Sequence, residues 1–198
     1  MDGRPESPAD RVVVWWRRVA GDERAEAGEL LRAAAAELRG VPAADVVVTR
    51  IANRPPVLGG AATGLHASIS HSRRIVAVAV RAAGPVGVDV EVLRRLPVIA
   101  LARRWFTVAE ANWVAAQPVH RRTRCFLTLW TGKEAMGKAI GDGLRGGGLR
   151  RPMPVVPAPH FTPNGELFVA VPETPPDHVL AVACAGAAVR GAPVLAQR

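Results

Sequence analysis

The chain has 198 residues, enough for one large domain or two small packed halves. Its hydrophobic content of 49% supports a real core and excludes wholesale disorder, and two cysteines, Cys125 and Cys184, give neither a disulfide framework nor a CxxC metal pattern and fit a reducing, cytoplasmic setting. A formal net charge of +9 favours polyanionic partners such as nucleic acid, anionic membrane, phosphorylated cofactors or acidic proteins, but does not choose among them.

Residues 1–10 read as a loose polar tail without the apolar core of a signal peptide. Arg11 to Trp16 is β-branched and aromatic and reads as a strand. Asp22 to Arg39 is rich in Ala, Leu, Glu and Arg and reads as a helix that Gly40 and Pro42 stop. Val46 to Thr49 reads as a strand, and Asn53 to Gly64 as a Pro/Gly loop. His66 to Ser70, Ile75 to Val80 and Val86 to Glu91 follow as strands, with a turn at Gly84-Pro85. Helices are predicted over Pro97 to Phe106, from Thr107 onward, and over Phe126 to Ile140, where Gly141 ends the last. Residues 145–160 read as loop, and Phe168 to Val171 and Val179 to Ala183 as closing strands. The run Val179 to Val189 is too short to span a membrane. Strands and helices mix without regular βαβ alternation, which predicts an α+β fold with antiparallel pairing.

Three stretches carry chemistry. In Val86-Gly87-Val88-Asp89-Val90-Glu91, strand alternation sends the valines to a core and Gly87, Asp89 and Glu91 to the opposite face. Two neighbouring carboxylates repel unless a cation sits between them, and a hard divalent ion such as magnesium is the simplest occupant. Two solvated acids at a strand end are the plainer explanation of these six residues alone. On the helix around Trp130-Thr-Gly-Lys133-Glu134-Ala-Met-Gly-Lys138, a spacing of four places Trp130, Glu134 and Lys138 on one face. An ordinary amphipathic helix with a Glu–Lys pair has the same pattern. Ser68-Ile-Ser70-His71-Ser72-Arg73 offers several donors to a phosphate, or is a polar turn between strands. No GxSxG elbow surrounds the serines, so a hydrolase triad has little support.

In this order and spacing the pieces resemble the 4′-phosphopantetheinyl transferase superfamily, in particular its larger, surfactin-synthetase-activator type. The matching residues run from Asn53-Arg54-Pro55 through His66-Ala-Ser-Ile-Ser-His71-Ser72 and Val86-Gly-Val-Asp89-Val-Glu91. They continue with Trp105-Phe106-Thr107 and Glu110, and close with Trp130-Thr-Gly-Lys133-Glu134-Ala-x-x-Lys138-Ala and Gly141-x-Gly-Leu144. The N-terminal third matches weakly.

The resemblance implies two similar α+β half-domains in one chain, a pseudo-dimer with the active site in the cleft between them. It divides the chain into the tail at 1–10, an N-terminal half at 11–80 and a C-terminal half at 81–198. It implies an enzyme that moves 4′-phosphopantetheine from coenzyme A to a serine of an apo acyl, polyketide or nonribosomal peptide carrier protein, in the manner of secondary-metabolite pathways. Adenosine 3′,5′-bisphosphate is the other product. Mg²⁺ would be held by Asp89 and Glu91. Glu134 either completes its shell or acts as the base, and both roles stay open. Arg54, Ser70, His71, Lys133, Lys138 and Arg24 would contact coenzyme A, His71 at the 3′-phosphate and Lys138 at the phosphates and the departing nucleotide. Arg32 is a second basic candidate on the first helix, where Glu29 replaces a basic residue common in the family, and Val90 between the two acids cannot ligate a metal. The expected protein is a cytoplasmic monomer with no nucleic-acid or membrane partner. The alternatives are a non-catalytic relative that binds coenzyme A or a carrier, and a basic nucleic-acid-binding module, which lacks the expected aromatic-interleaved basic patches.

Overall fold

The computed structural model describes residues 11–52, 54–145, 147–154, 162–164, 167–172, 174, 176–185 and 195–197. The expected tail at 1–10 and Asn53 lie outside them. Strand β1 (Val12–Arg18) alternates as its sequence suggests: Val12, Val14 and Trp16 enter one core, while Val13 and the partly buried Trp15 enter another. Helix α1 (Glu23–Arg39) begins where the Asp22 side chain accepts the Arg24 amide and ends at Gly40. Gly40 takes φ +68° and donates its N–H to the carbonyls of Ala36 and Glu37, a turn that a residue without Cβ makes at no steric cost.

Strands β2 (Val46–Thr49) and β3 (Val57–Gly60) form a small antiparallel sheet. Strands β4 (His66–Ser72) and β5 (Ile75–Arg81) form a hairpin, and β5 also pairs antiparallel with β1. Strand β6 (Val86–Val92) opens a second sheet. Helices α2 (Val98–Trp105), α3 (Val108–Ala116) and α4 (Val119–Ile140) follow, then β7 (Thr162–Asn164), β8 (Leu167–Ala170), β9 (His178–Ala185) and β10 (Leu195–Gln197).

The sheets have the orders β10-β1-β5-β4 and β6-β9-β8-β7. Their inner faces share one core: Val12, Val14, Trp16, Ile75, Ala77 and Ala79 from the first meet Val86, Val88, Val90, Leu180, Val182 and Cys184 from the second. The outer face of the first sheet packs α1 through Leu30, Leu31, Ala34 and Ala35. The outer face of the second packs the helices through Phe106, Phe126, Leu129, Met136 and Ala139. The result is four layers, helix–sheet–sheet–helix, in a mixed α/β chain whose strand pairs are antiparallel except β1 with β10.

The adjoining edges of the two sheets are joined by side chains. The N–H groups of Val88, Val90 and Val92 on β6 donate to Ser68, Ser70 and Ser72 Oγ on β4, at 3.0, 3.4 and 3.1 Å. Every second residue of β4 is a serine because every second residue faces that seam.

Three expectations need correction. The loop predicted over residues 53–64 contains β3, which Gly59 and Gly60 disguise in sequence. Helix α4 starts at Val119 rather than near Phe126; its first turns carry exposed Val119, His120, Arg121 and Arg124 and therefore show no apolar periodicity. Within the predicted 145–160 loop a short 3₁₀ turn forms at Gly148–Arg150. Strand β5 runs on to Arg81, across the expected 80/81 division, and β10 crosses back and pairs parallel with β1 in the first sheet. No helix among the described residues is long and apolar enough to cross a membrane.

Candidate functional site

Strand β6 and helix α4 lie closer than side chains normally permit, and Gly87 is the reason. A Cβ on Gly87 would stand 2.0 Å from the Ala135 carbonyl oxygen and 2.6 Å from the Ala139 amide nitrogen. The contact sets the helix residues Glu134 and Lys138 beside the strand residues Asp89 and Glu91. Lys138 Nζ bonds Asp89 Oδ1 at 2.8 Å and the Val88 carbonyl at 2.9 Å. Asp89 Oδ1 also accepts from Ser70 Oγ at 2.8 Å, while Asp89 Oδ2 is buried without a hydrogen-bond partner. Glu91 pairs with Arg94 two residues past the end of β6.

Electrostatics couple the three acids. Burial lifts the Asp89 carboxyl above its usual range against the pull of Lys138 and Ser70, and Glu91 pushes it the same way. Glu134 is raised by burial first, then by the charges of Asp89 and Glu91, with Lys138 opposing. No group of three or more His, Cys, Asp or Glu side chains among the described residues is drawn together tightly enough to hold a metal ion. Lys138 pairs with Asp89 and Arg94 with Glu91. The donor set fits a hard divalent cation nonetheless: three mutually repelling carboxylates and a buried carboxylate oxygen that no group among the described residues satisfies.

Lys138 also lines a cleft of about 790 Å³ between the two sheets. From the first sheet and its flanks come Asp22, Arg24, Arg50, Arg54, Ala67, Ser68, Ile69 and His71; from the second come Val86, Lys138, Gly141 and Gly143. The rim is rich in arginine, and four of its side chains, Arg24, Arg54, His71 and Lys138, stand among those named from sequence. Arg50 and Asp22 were not. Arg50 donates to the Arg24 carbonyl at 3.0 Å, and only its position four residues before Arg54 hinted at the cleft. Arg32 is not among the lining residues. Loop 141–143 is held to the helix by the Gly143 amide on the Gly137 carbonyl at 2.9 Å, and a Cβ on Gly137 would meet Gly143 O at 2.1 Å.

Two expected coenzyme contacts are corrected. Ser70 is buried in the seam between Asp89 and β6, because strand alternation turns it away from the face that carries His71. Lys133 has 0% exposure and points into the helical core. Its Nζ bonds Glu110 Oε1 at 2.7 Å and the Arg151 carbonyl, and lies 5.0 Å from the Phe106 ring centre. One position round the helix from Glu134, it falls on the buried face, away from Lys138, whereas Asp89, Glu91 and Glu134 are not among the residues that line the cleft. Burial lowers its pKa while Glu110 opposes that shift. Glu110 is the residue whose part was unread. It closes the Thr107 capping box at the start of α3 and accepts from the Met153 amide at 2.9 Å, so both of its oxygens are engaged.

Residues 85–175 match the 4′-phosphopantetheinyl transferase superfamily. Among curated proteins, the 4′-phosphopantetheinyl transferase HetI of Nostoc sp. is 36% identical over 92 residues, which is 45% of this chain and 39% of that protein. The 4′-phosphopantetheinyl transferase psf-1 of Bacillus pumilus is 32% identical over 115 residues, 58% of this chain and 48% of its own. A 4′-phosphopantetheinyl transferase of Bacillus subtilis is 35% identical over 80 residues, 40% of this chain and 35% of that one. The aligned part of the chain spans at most about half the length of these relatives. The resemblance read from the motifs is thus shown for residues 85–175, the part that carries Asp89, Glu91, Glu134 and Lys138.

Proposed function

We propose that this protein transfers the 4′-phosphopantetheine arm of coenzyme A to a serine of an apo carrier protein. The observation that carries the reading is the bond between Lys138, on the wall of an arginine-rimmed cleft, and Asp89, whose second oxygen is buried and unpartnered. An enzyme that places a polyphosphate against carboxylates needs both parts: cations for the phosphates, and acids for the ion between them. The family match over residues 85–175 supports the same chemistry.

In this reading the two halves form a pseudo-dimer whose cleft takes coenzyme A. Asp89 and Glu91 would hold Mg²⁺, with Glu134 as third ligand or as base, and the ion would supply positive charge to offset that of the phosphates. The carrier serine hydroxyl attacks the β-phosphorus, a new P–O bond forms, and the bond to the bridging oxygen breaks, releasing adenosine 3′,5′-bisphosphate. Glu134, held above its ordinary pKa, is suited to take the serine proton. Lys138 can leave Asp89 for the departing phosphate without leaving the cleft. Arg24, Arg54 and His71 bind the nucleotide phosphates, and Arg50 joins them. The net charge of +9 steers both coenzyme A and an acidic carrier surface toward the protein.

The test is intact-protein mass spectrometry of an apo carrier incubated with this protein, coenzyme A and Mg²⁺, with and without EDTA. A gain of one phosphopantetheine that EDTA abolishes is the expected result. No gain across acyl, polyketide and peptide carriers, with coenzyme A still bound, would replace the enzyme with a binding protein.

A further inference from the structure

The hairpin between β4 and β5 turns at Arg73 and Arg74, and both have positive φ, +39° and +65°. Two-residue hairpin turns of this hand ordinarily carry Asn or Gly. Arginines in their place must be held there by the surroundings. Two contacts do so: the Val19 amide donates to the Arg74 carbonyl at 2.7 Å, and the Arg74 amide donates to Glu23 Oε1 at 2.8 Å. Glu23 is the first residue of α1, where an acid is ordinarily explained by the helix dipole alone. Its second oxygen is also engaged, since Oε2 lies 3.2 Å from His71 Nδ1. One carboxylate therefore ties the start of α1 to the hairpin turn and to the ring of His71.

His71 lines the cleft with Arg24 and Arg54, while Glu23 is not among the lining residues and meets the ring at Nδ1. With Nδ1 facing a carboxylate, that nitrogen carries a hydrogen, the ring orientation is fixed, and Nε2 is the nitrogen left for a ligand. We propose that Glu23 is a positioning residue that holds His71 for a phosphate of the donor nucleotide, and so sets the preference for a donor that carries its 3′-phosphate. This inference rests on the reading of the cleft as the coenzyme A site.

The test compares coenzyme A with 3′-dephospho-coenzyme A as donors, using the full chain and an apo carrier. Glu23→Gln keeps an oxygen for the Arg74 amide but removes the charge from His71. Its KM for coenzyme A should rise about tenfold with little change in kcat, the scale of one charged hydrogen bond. Its KM for 3′-dephospho-coenzyme A should stay within about twofold, and its melting temperature should not move. His71→Ala should lose the same discrimination, and the double variant should lose no more than His71→Ala alone, because the two residues act as one unit. A wild-type protein that transfers from neither donor brings down the transferase reading and this inference together. A wild type that transfers but does not discriminate, or a Glu23→Gln variant that keeps the discrimination, overturns only the role of Glu23. Equal losses with both donors would make Glu23 a clamp for the hairpin and overturn it as well.

Discussion

Lys138 Nζ sits 2.8 Å from Asp89 Oδ1, which joins the helix α4 to the strand β6 at the place where three carboxylates act on one another. The bond gives each residue a resting partner on the edge of the cleft. In the proposed reaction Lys138 exchanges this carboxylate for a phosphate, so the pair is a resting state that a substrate must open.

Asp89→Ala is expected to keep the fold and lose transfer. Asp89 touches Lys138 and Ser70 but fills no apolar core, so its loss should shift thermal unfolding little. Transfer efficiency should drop by at least about a hundredfold, equivalent to about 2.7 kcal/mol of barrier. Steady-state kinetics beside a melting curve separates the two effects, and a variant with near wild-type kinetics would remove Asp89 from the reacting centre.

Lys133 and Glu110 make the opposite prediction. Their pair is fully buried and ties α4 to α3 and to the segment at Arg151–Met153. Lys133→Ala leaves the buried Glu110 without its cation, at an expected cost of about 3–5 kcal/mol. Urea unfolding should show that loss. A Lys133→Met, Glu110→Gln double variant should recover part of it and bind coenzyme A nearly as the wild type does, as measured by calorimetry. Weakened coenzyme binding in a stable double variant would return Lys133 to the phosphate-binding set.

The serine seam can be tested one hydrogen bond at a time. Ser68→Ala strands the buried Val88 amide, whose acceptor it removes. The expected cost is about 1–3 kcal/mol, whereas Ser68→Thr keeps the oxygen and should cost less. Equal stability of the alanine variant and the wild type would mean that the seam contributes nothing to joining the sheets.

Glu134 gives a pH dependence of known sign. Burial and the charges of Asp89 and Glu91 raise its folded pKa above the ordinary 4.5. The folded chain therefore holds that proton more tightly than the unfolded chain does. The resulting stabilisation is present below the unfolded value, falls as pH rises from there through the raised folded value, and is gone above it. Glu134→Gln removes this dependence, so the variant should gain stability relative to wild type at pH 7.5 compared with pH 4. Melting curves at the two pH values check it, and an unchanged difference would mean that Glu134 is not held above its ordinary value in the folded chain.

Gly87→Ala should disturb the fold and the site together. The added methyl meets the α4 backbone at 2.0 Å, where no rotamer can relieve the clash. An overpacking cost of about 1–3 kcal/mol is expected. Lys138 should separate from Asp89, so transfer should fall more than stability explains.

The sequence by itself determined most of the strands and helices, the two-faced alternation of β6, and the motif set Asp89, Glu91, Glu134 and Lys138. Those features are local: period-two and period-four spacing dictate which side chains share a face, whatever the rest of the chain does. It also marked Arg24, Arg54 and His71, which the fold brings to one cleft wall although dozens of residues separate them from Lys138. Only the tertiary structure decided that Ser70 and Lys133 turn away from that cleft, because facing outward or inward depends on what packs against an element. Polar residue types alone do not say. The same holds for β3, whose glycines hide it until β2 pairs with it, and for β10, whose pairing with β1 depends on the chain's return. Glu23 reads in sequence as a helix-start acid. The contact with His71 and the Arg73–Arg74 turn exists because the hairpin closes over the first turn of α1, a meeting of segments 48 residues apart that no spacing rule reports.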